Sequence, residues 1–325
     1  MVAPRQPSVG LLLPPVLISF VAFILVVIAL LAGTGPQQES LEPYHVIAVN
    51  LSNFGQDLIP TSTASNPKAS QTSGGSFFDQ ISDAAHGLGQ DISDGINNIT
   101  NGIADELTEE LGISQWYSLH MLTACEGMFA PNASSPQAWY NLTNCTAQQP
   151  GFRLNLSQIL DHEIQAGPLK LNLNQLPIPD SVQDAIDIVN DALLAVLVFY
   201  ALASALAGLS FLLSLAVLIL LRKKVSKPVV WASMAIAGLA AFVLLIGSAI
   251  ITYVNNKGVP EINHAGKDVG ITGIRGSKLI NLSWISFGLM LITSLYWGLA
   301  TLKYAQRWVI IEDSFRRRAE KPLPY

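Results

Sequence analysis

Residues 192–221 read ALLAVLVFYALASALAGLSFLLSLAVLILL, an uninterrupted apolar run that decides the fold. A helix needs about 20 apolar residues to cross the ~30 Å hydrocarbon core of a membrane. Three further runs, at residues 10–33, 229–254 and 279–302, are also long enough and contain no Asp, Glu, Lys or Arg. The sequence therefore predicts a membrane all-α protein, built as a four-transmembrane-helix bundle with one large extracellular loop domain.

The composition of the whole chain agrees with this class. Of its 325 residues 50% are hydrophobic and only 13% are charged, which is rare in a water-soluble domain of this size. The first run could instead be a cleaved signal peptide, because it follows Arg5. However, it is longer than the apolar region of such peptides, and no clean small-x-small cleavage site precedes Pro36, which would be the first residue after a cut behind Gly35. We therefore expect a signal anchor.

Basic residues orient the four spans. A cluster in segment 222–228, between the second and third spans, marks that segment as cytosolic, because Lys and Arg are enriched on that side. Alternation then places residues 1–9 and the tail 303–325 in the cytosol, and loops 34–191 and 255–278 outside. The inner basic residues are Arg222, Lys223, Lys224, Lys227, Arg316, Arg317 and Arg318.

Charge is distributed unevenly between the two sides. Loop 34–191 holds three basic and eighteen acidic residues, a net −15, while the rest of the chain sums to +10. Such a loop is not expected to bind nucleic acid. We expect the inner basic residues to lie on anionic inner-leaflet lipid, where each Lys or Arg contributes about 1 kcal/mol. The alternative is that these charges only fix the topology.

Six N-x-S/T sequons lie in the large loop, on the side that the charges place outside. They are at Asn50, Asn98, Asn132, Asn141, Asn144 and Asn155. Glycosylation of such sequons requires exposure to the secretory compartment, so their placement supports the topology independently. Asn141 and Asn144 are so close that we do not expect both to carry glycans.

Both cysteines of the chain, Cys125 and Cys145, lie in the same loop. In an oxidising compartment the obvious arrangement is a disulfide, which would stabilise a closed loop of this length by roughly 3 kcal/mol. The alternative is two free thiols. No metal site is expected, since two thiols without histidines at ligand spacing cannot complete a tetrahedral site.

The loop divides into three parts that differ in composition and in the spacing of apolar residues. Residues 53–76 are rich in Ser, Thr, Gly, Asn and Pro and are expected to form a flexible linker. Residues 77–112 show helical spacing of apolar residues and predict an amphipathic helix, either a contact surface or an insert that packs on its own domain. Residues 113–180 form the disulfide-containing core. Within it 169–178 predicts a short strand, and a helix beginning near Pro179 runs into the second span.

No motif for catalysis or for a cofactor is found. The chain lacks H-E-x-x-H, G-x-S-x-G, a Gly-rich phosphate loop and C-x-x-C, and residues 161–163, Asp-His-Glu, are interpreted as a charged turn. No small-molecule substrate is expected. Transport is less favoured, because the spans contain no ionisable groups at membrane depth.

Small residues four apart occur in three spans and allow close helix approach. The pairs are Ser204 and Gly208, Ala237 and Ala241, and Ser294 and Gly298. We expect them to pack helices within one bundle, and a seam between copies is the alternative.

One stretch carries a family resemblance. Residues 115–127 read QWYSLHMLTACEG, and residues 144–146, 159–163 and 176–180 read NCT, ILDHE and LPIPD. Together with the spans, these resemble the fungal Sur/PalI family, four-span plasma-membrane proteins of cortical patches (eisosomes) that are distantly similar to claudins. The motif residues are Trp116, Tyr117, Cys125, Glu126, Gly127 and Cys145.

The resemblance implies roles for these residues and for the chain. Cys125 and Cys145 would bridge a small claudin-like sheet, Trp116 and Tyr117 would form an aromatic edge packed on it, and Gly127 would form the turn after it. The chain would be a non-enzymatic plasma-membrane protein that organises cortical domains linked to endocytosis, the actin cortex and wall or spore formation. Its partners would be membrane lipids and other cortical membrane proteins or a second copy.

The same family contains a second role, ambient-pH signalling of the PalI type. Members of that branch have a long cytosolic tail, whereas the predicted tail here is residues 303–325. We therefore favour the organising role and retain pH signalling as the alternative.

Overall fold

The computed structural model describes residues 9–34, 39–53, 113–131, 138–150, 153, 155, 180–219, 227–267 and 270–319. Several sequence predictions lie outside these residues. They are the linker beyond Asn53, the helical insert 77–112, the strand at 169–178, the sequons at Asn98 and Asn132, and the basic residues Arg222, Lys223 and Lys224.

Four long helices dominate the described chain: α1 (Val9–Leu31), α2 (Asp180–Ile219), α3 (Lys227–Ala265) and α4 (Ser277–Ala319). Each contains a window long and apolar enough to cross a membrane. The predicted four-span fold is thereby confirmed. Lys227 is the first residue of α3, and the predicted basic cluster Arg316–Arg318 lies on α4.

Three of these helices extend past the apolar runs. Helix α2 begins at Asp180, as expected for a helix that starts after Pro179 and enters the second span. Helix α3 continues to Ala265, inside the predicted outer loop 255–278, and α4 continues to Ala319, inside the predicted tail. A helix does not end where its sequence becomes polar, because backbone hydrogen bonds continue until a breaker or a competing contact ends them.

A five-stranded antiparallel sheet accompanies the helices, with strand order β4-β3-β2-β1-β5. Its strands are β1 (Ile47–Asn50), β2 (Trp116–Leu119), β3 (Ala124–Ala130), β4 (Trp139–Cys145) and β5 (Thr272–Arg275), and a 3₁₀ turn (Glu39–Tyr44) precedes β1. The first four strands come from the segment between α1 and α2. The fifth comes from the segment between α3 and α4 and pairs with β1.

The chain divides into two compact units. The helical unit comprises residues 1–30, 198–249 and 280–325, and the sheet unit comprises residues 31–197 and 250–279.

Within the helical unit, small residues sit where helices meet. A Cβ added to Gly208 would lie 3.1 Å from the Phe23 ring of α1, and one added to Gly238 would lie 3.1 Å from Ser294 Oγ of α4. Ala237 and Ala241 are buried. Small residues therefore bring helices together within the bundle, as expected.

Large apolar side chains of the helical unit, such as Leu212, Phe242 and Leu295, are exposed. This is the pattern of a surface that faces lipid, because lipid tails are as apolar as these side chains.

A cluster of hydroxyl groups lies inside the helical unit. Tyr200 on α2 hydrogen-bonds with Ser283 on α4, and Ser283 also hydrogen-bonds with Ser248 on α3. All three side chains are buried. A Cβ added to Gly247 would lie 2.8 Å from the Tyr200 ring, so Gly247 leaves room for it. The cluster links three helices.

Candidate functional site

The Trp116 side chain forms the centre of the sheet unit. It is fully buried on β2, and its Nε1 donates a hydrogen bond of 3.1 Å to the Met128 carbonyl oxygen. The Tyr140 ring of β4 lies edge-on to it, with ring centroids 5.1 Å apart. The resemblance implied an aromatic edge at Trp116 and Tyr117, whereas both residues lie on β2, the middle strand of the sheet.

Gly127 lies within β3, directly opposite Trp116, and not in a turn after the disulfide. A Cβ at this position would lie 2.6 Å from Cζ2 of Trp116 and would overlap the Asn141 carbonyl oxygen. The motif therefore pairs a large ring with a residue that has no side chain. The neighbouring motif residue, Glu126, is only partly buried and pairs with Tyr117 across the strands.

Cys125 and Cys145 form a disulfide, as the sequence predicted. The two residues are directly opposite each other on β3 and β4, so the bond crosses between adjacent strands at one end of their ladder. The amide of Thr146, just after β4, also donates to the Ala124 carbonyl oxygen at 2.8 Å. The disulfide thus holds the edge strand β4 on the sheet.

A bulge in β4 affects two predicted sequons. Glu126 pairs with Asn144 and Gly127 pairs with Leu142, which leaves Thr143 as an extra residue on β4. Because an extra residue reverses the alternation of the strand, Asn141 and Asn144 are both exposed. Asn155 is also exposed.

The sequon at Asn50 is differently placed. Asn50 pairs with Trp116 on one side and with Thr272 on the other, and its Oδ1 accepts a hydrogen bond of 2.8 Å from the Ser52 amide. Its side chain therefore already has a structural role.

A hydrogen-bonded pair of ionisable side chains is buried in the sheet unit. His120 Nε2 lies 3.1 Å from Glu42 Oε2 and 3.3 Å from Ser118 Oγ, and all three residues are no more than 1% exposed. Burial raises the pKa of the Glu42 carboxyl, but the hydrogen bond and charge of His120 and the hydrogen bond of Ser118 outweigh it, so the net pKa is lowered. The carboxylate is thus held ionised.

His45 lies beside this pair. Its ring packs edge-on against His120 and Tyr140, with centroids 6.4 Å and 5.9 Å away, and its Nδ1 lies 3.0 Å from the Glu42 carbonyl oxygen. Burial, followed by the charge of His120, lowers the pKa of His45 to about 4. Burial also raises the pKa of the Tyr140 hydroxyl, with a smaller contribution from Glu42. His45 is therefore neutral at neutral pH.

Gly33, two residues after the end of α1, lies against the buried pair. Gly33 adopts φ +77, and a Cβ there would overlap the His120 ring. Its carbonyl oxygen accepts a hydrogen bond of 2.7 Å from Thr123 Oγ1. The conformation requires glycine, because other residues are strained at this φ.

These residues do not form a metal centre. Potential ligand atoms of Glu42, His120 and Cys125 lie within 4.8 Å of one another. However, the sulfur of Cys125 is bonded to Cys145 and cannot act as a thiolate ligand. The two remaining side chains hydrogen-bond each other, so the cluster stabilises the fold.

Sequence reasoning missed this cluster. Glu42 and His120 are 78 residues apart, and neither belongs to a local motif. Residues 161–163, Asp-His-Glu, which the sequence predicts to be a charged turn, lie outside the described residues. One feature of the sequence could have pointed to His120 as a buried residue: it lies in the motif stretch 115–127, directly after the residues that form β2.

The fold and the site together define a class of protein. The chain has four helices that can span a membrane and a small antiparallel sheet formed mainly by the segment between the first and second helices. The sheet contains a central Trp, a Gly opposite it and a disulfide that links two strands, and this arrangement fits a claudin-like four-span fold. The chain belongs to the SUR7/PalI family, whose family model matches residues 11–296. This is a non-enzymatic membrane family. No curated protein and no solved structure matches the chain.

Proposed function

We propose that this chain is a plasma-membrane protein that organises cortical membrane domains of the eisosome and actin-patch type, in support of endocytosis and of wall or spore formation. The observation that carries the proposal is the family match over residues 11–296, which includes the first three spans, most of the fourth and the whole sheet. The cortical-patch role is the one that the resemblance of the motif residues to this family implies. It assigns the chain no catalytic activity.

The interior of the helical unit supports a structural role. Its buried hydrogen bonds between helices include the hydroxyl contacts among Tyr200, Ser248 and Ser283. Carriers and channels need ionisable groups or broken helices at membrane depth, and the described spans contain neither Asp, Glu, Lys nor Arg in their apolar runs. A closely packed bundle of this kind suits a scaffold.

We propose that both ends are cytosolic and that the sheet lies outside. The exposure of Asn141, Asn144 and Asn155 supports this, because a sequon must be accessible to be glycosylated. The basic residues of segment 222–228 and of the end of α4 would then face anionic inner-leaflet lipid. Other cortical membrane proteins, or a second copy, are the proposed protein partners.

Glycosidase treatment tests the orientation. A mobility shift is expected for the wild type and should shrink when Asn141 and Asn144 are both changed to Gln. The matched control is Asn50→Gln, which should leave the shift unchanged, because Asn50 is held by the Ser52 amide. A wild-type chain without any shift would contradict the outside placement of the sheet.

Imaging tests the role. A fluorescently tagged full-length chain in a fungal host should form stable puncta at the cell surface. Deletion of the gene that encodes the chain should disperse other components of the patches. A Cys125→Ser/Cys145→Ser variant should reach the surface less efficiently. The organising role would be contradicted if the wild-type chain were distributed diffusely over the surface and if the patches were unchanged after deletion of its gene.

Ambient-pH signalling of the PalI type is the second candidate. It rests on the same match, because the description of the family joins both branches. The two roles differ in what deletion does: loss of alkaline-pH gene responses with intact patches would favour signalling, and dispersed patches with intact responses would favour organisation.

A further inference from the structure

Two glycosylation sequons follow each other directly at β4, and the structure holds them in different ways. We call residues 141–143, Asn-Leu-Thr, the Asn141 sequon, and residues 144–146, Asn-Cys-Thr, the Asn144 sequon. The two asparagines are both exposed. Exposure of the acceptor side chain therefore does not decide which of them carries a glycan, and the contacts of the neighbouring residues must be compared.

The Asn144 sequon is tied to β3 at each of its three positions. Asn144 pairs with β3 in the ladder, and Cys145 is bonded covalently to Cys125 on that strand. The amide of Thr146 donates to the carbonyl oxygen of Ala124, the first residue of β3, at 2.8 Å. A segment that is fixed at all three positions cannot enter the active site of a transferase.

The hydroxyl group of the Asn144 sequon is also engaged. A sequon requires Ser or Thr at its third position, so the transferase must contact that hydroxyl group. In the folded chain Thr146 Oγ1 accepts a hydrogen bond of 3.0 Å from the Ala124 amide. Recognition of this sequon therefore requires that the end of the β3–β4 ladder be open.

The Asn141 sequon is held without a covalent bond. Asn141 and Leu142 pair with β3, whereas Thr143 is the extra residue of the bulge, has no pairing partner on β3 and is exposed. Hydrogen-bonded pairing can open and close again by local unfolding, but a disulfide opens only when a thiol attacks it. The two sequons therefore differ in whether access to them depends on the redox state of the chain.

We propose that the Cys125–Cys145 disulfide prevents glycosylation of Asn144, so that Asn141 carries the glycan of β4. Glycan transfer and disulfide formation compete for the same segment while the sheet folds. Once the bond has formed, the Asn144 sequon is closed and the Asn141 sequon is still accessible through local opening. This inference rests on the proposed placement of the sheet outside the membrane, since both reactions belong to the secretory compartment.

The two competing reactions use different reagents. In glycan transfer the Asn Nδ2 loses a proton and forms a bond with the anomeric carbon of an oligosaccharide, while the bond from that carbon to a polyprenyl diphosphate breaks and the diphosphate leaves. In disulfide formation two thiols pass two protons and two electrons to a disulfide oxidant, which becomes a dithiol. Cys125 precedes Cys145 by 20 residues. Both thiols are therefore present as soon as the Asn144 sequon has been made.

Occupancy of each asparagine in the full-length chain tests the proposal. The chain is synthesised into microsomes and deglycosylated enzymatically in heavy-oxygen water, which converts each glycan-bearing Asn to labelled Asp, and tandem mass spectrometry then separates the two positions. In the wild type we expect Asn141 to be occupied and Asn144 nearly empty. A reductant present during synthesis should raise the occupancy of Asn144 several-fold. It should leave Asn155 unchanged, because the sequon at residues 155–157 contains no cysteine.

Two variants separate the disulfide from simple crowding. Cys125→Ser removes the bond and leaves the Asn144 sequon intact, so the occupancy of Asn144 should rise as it does with reductant. The matched control is Asn141→Gln, which removes the neighbouring glycan and keeps the bond, and in it Asn144 should stay nearly empty. Occupancy is read on all newly made chains, so a variant that does not complete its fold still gives an answer.

Four results would overturn the proposal. Equal occupancy of Asn141 and Asn144 in the wild type would show that the bond excludes nothing, as would an empty Asn144 in both Cys125→Ser and the reduced wild type. A rise at Asn144 in Asn141→Gln would assign the exclusion to crowding. Glycans on Asn155 but not on Asn141 would overturn this inference alone, whereas a chain without a glycan on any sequon would overturn the proposed orientation together with it.

Discussion

The helical unit and the sheet unit bury polar groups in different ways. In the helical unit buried hydroxyl groups of three helices hydrogen-bond one another, and many large apolar side chains are exposed. In the sheet unit the buried groups include the ionisable side chains of Glu42 and His120, and the large side chains of Trp116 and Tyr117 are inside. The two units therefore differ in which polar groups they bury and in where their large apolar side chains lie.

The difference follows from the solvent of each unit. Lipid gives no hydrophobic driving force for helix association, so close packing at small residues and interhelical hydrogen bonds must supply it. Water does give that driving force, but a sheet of short strands buries little surface. The disulfide and the buried hydrogen bond between Glu42 and His120 then add to the stability of the sheet unit. Changes in one unit should leave the other largely unaffected, since distant sites contribute independently.

The largest effect is expected from Gly33→Ala. Its φ of +77 is strained for alanine, and the added Cβ overlaps the His120 ring, so the sheet unit should lose about 4 kcal/mol from backbone strain and overpacking together. The readout is the rate at which a reductant reaches the disulfide.

Gly288→Ala is the matched control for this change. A Cβ added to Gly288 on α4 has nothing within 4 Å, so reduction of the disulfide should proceed at the wild-type rate. Equal rates for Gly33→Ala and the wild type would show that the conformation of Gly33 does not stabilise the sheet unit.

The next largest effect is expected from removal of the disulfide. Cys125→Ser/Cys145→Ser should destabilise the sheet unit by about 3 kcal/mol, because the bond closes a loop with a sequence separation of 20. Amide hydrogen exchange should rise in β3 and β4 and stay unchanged in the helical unit. Reduced wild-type protein should behave in the same way, and a rise of similar size in residues 198–249 of the helical unit would contradict the independence of the two units.

Acidification should weaken only the sheet unit. The pKa of His45 is about 4 in the folded chain against an ordinary 6.5, so the unfolded chain binds the extra proton as the pH falls below 6.5. Stability is therefore complete above pH 6.5 and declines by about 2 kcal/mol between pH 6.5 and 5. The lowered pKa of Glu42 adds a further loss at more acidic pH.

His45→Gln isolates this effect. Glutamine can still donate to the Glu42 carbonyl oxygen but does not titrate, so urea unfolding of the sheet unit should become flat between pH 6.5 and 5. A variant with the same pH dependence as the wild type would show that another group is responsible.

The predictability of the two units from the sequence also differs. The four spans are predictable because length and the absence of charge are local properties of each run. The disulfide is predictable because the chain has only two cysteines. Both predictions depend on counting residues and not on knowing which distant segments meet.

The strand pairing and the buried contacts of the sheet unit join segments that are far apart in the sequence. Strand β5, Thr272–Arg275, is four residues long and includes a glycine, and it is a strand because β1 pairs with it across more than 200 residues of chain. Glu42 meets His120 only after β1 and β2 are paired in register. Single-sequence patterns carry no information on such pairings, because β structure depends on the partner strand.

The smallest effect is expected in the helical unit, from Tyr200→Phe. The change removes the hydroxyl that bonds with Ser283 but keeps the ring that fills the space beside Gly247. Interhelical hydrogen bonds in membranes contribute roughly 0.6 to 2 kcal/mol, so a loss of about 1 kcal/mol is expected. Hydrogen exchange should rise in α2, α3 and α4, while reduction of the Cys125–Cys145 bond stays at the wild-type rate.

Tyr253→Phe serves as the control, because Tyr253 on α3 is 60% exposed and the same atom is removed from it. It should leave exchange in the helices unchanged. If Tyr200→Phe instead accelerated reduction of the disulfide, the hydroxyl cluster would stabilise both units. The contrast between a lipid-facing bundle and an independently stabilised sheet would then have to be replaced by one cooperative fold.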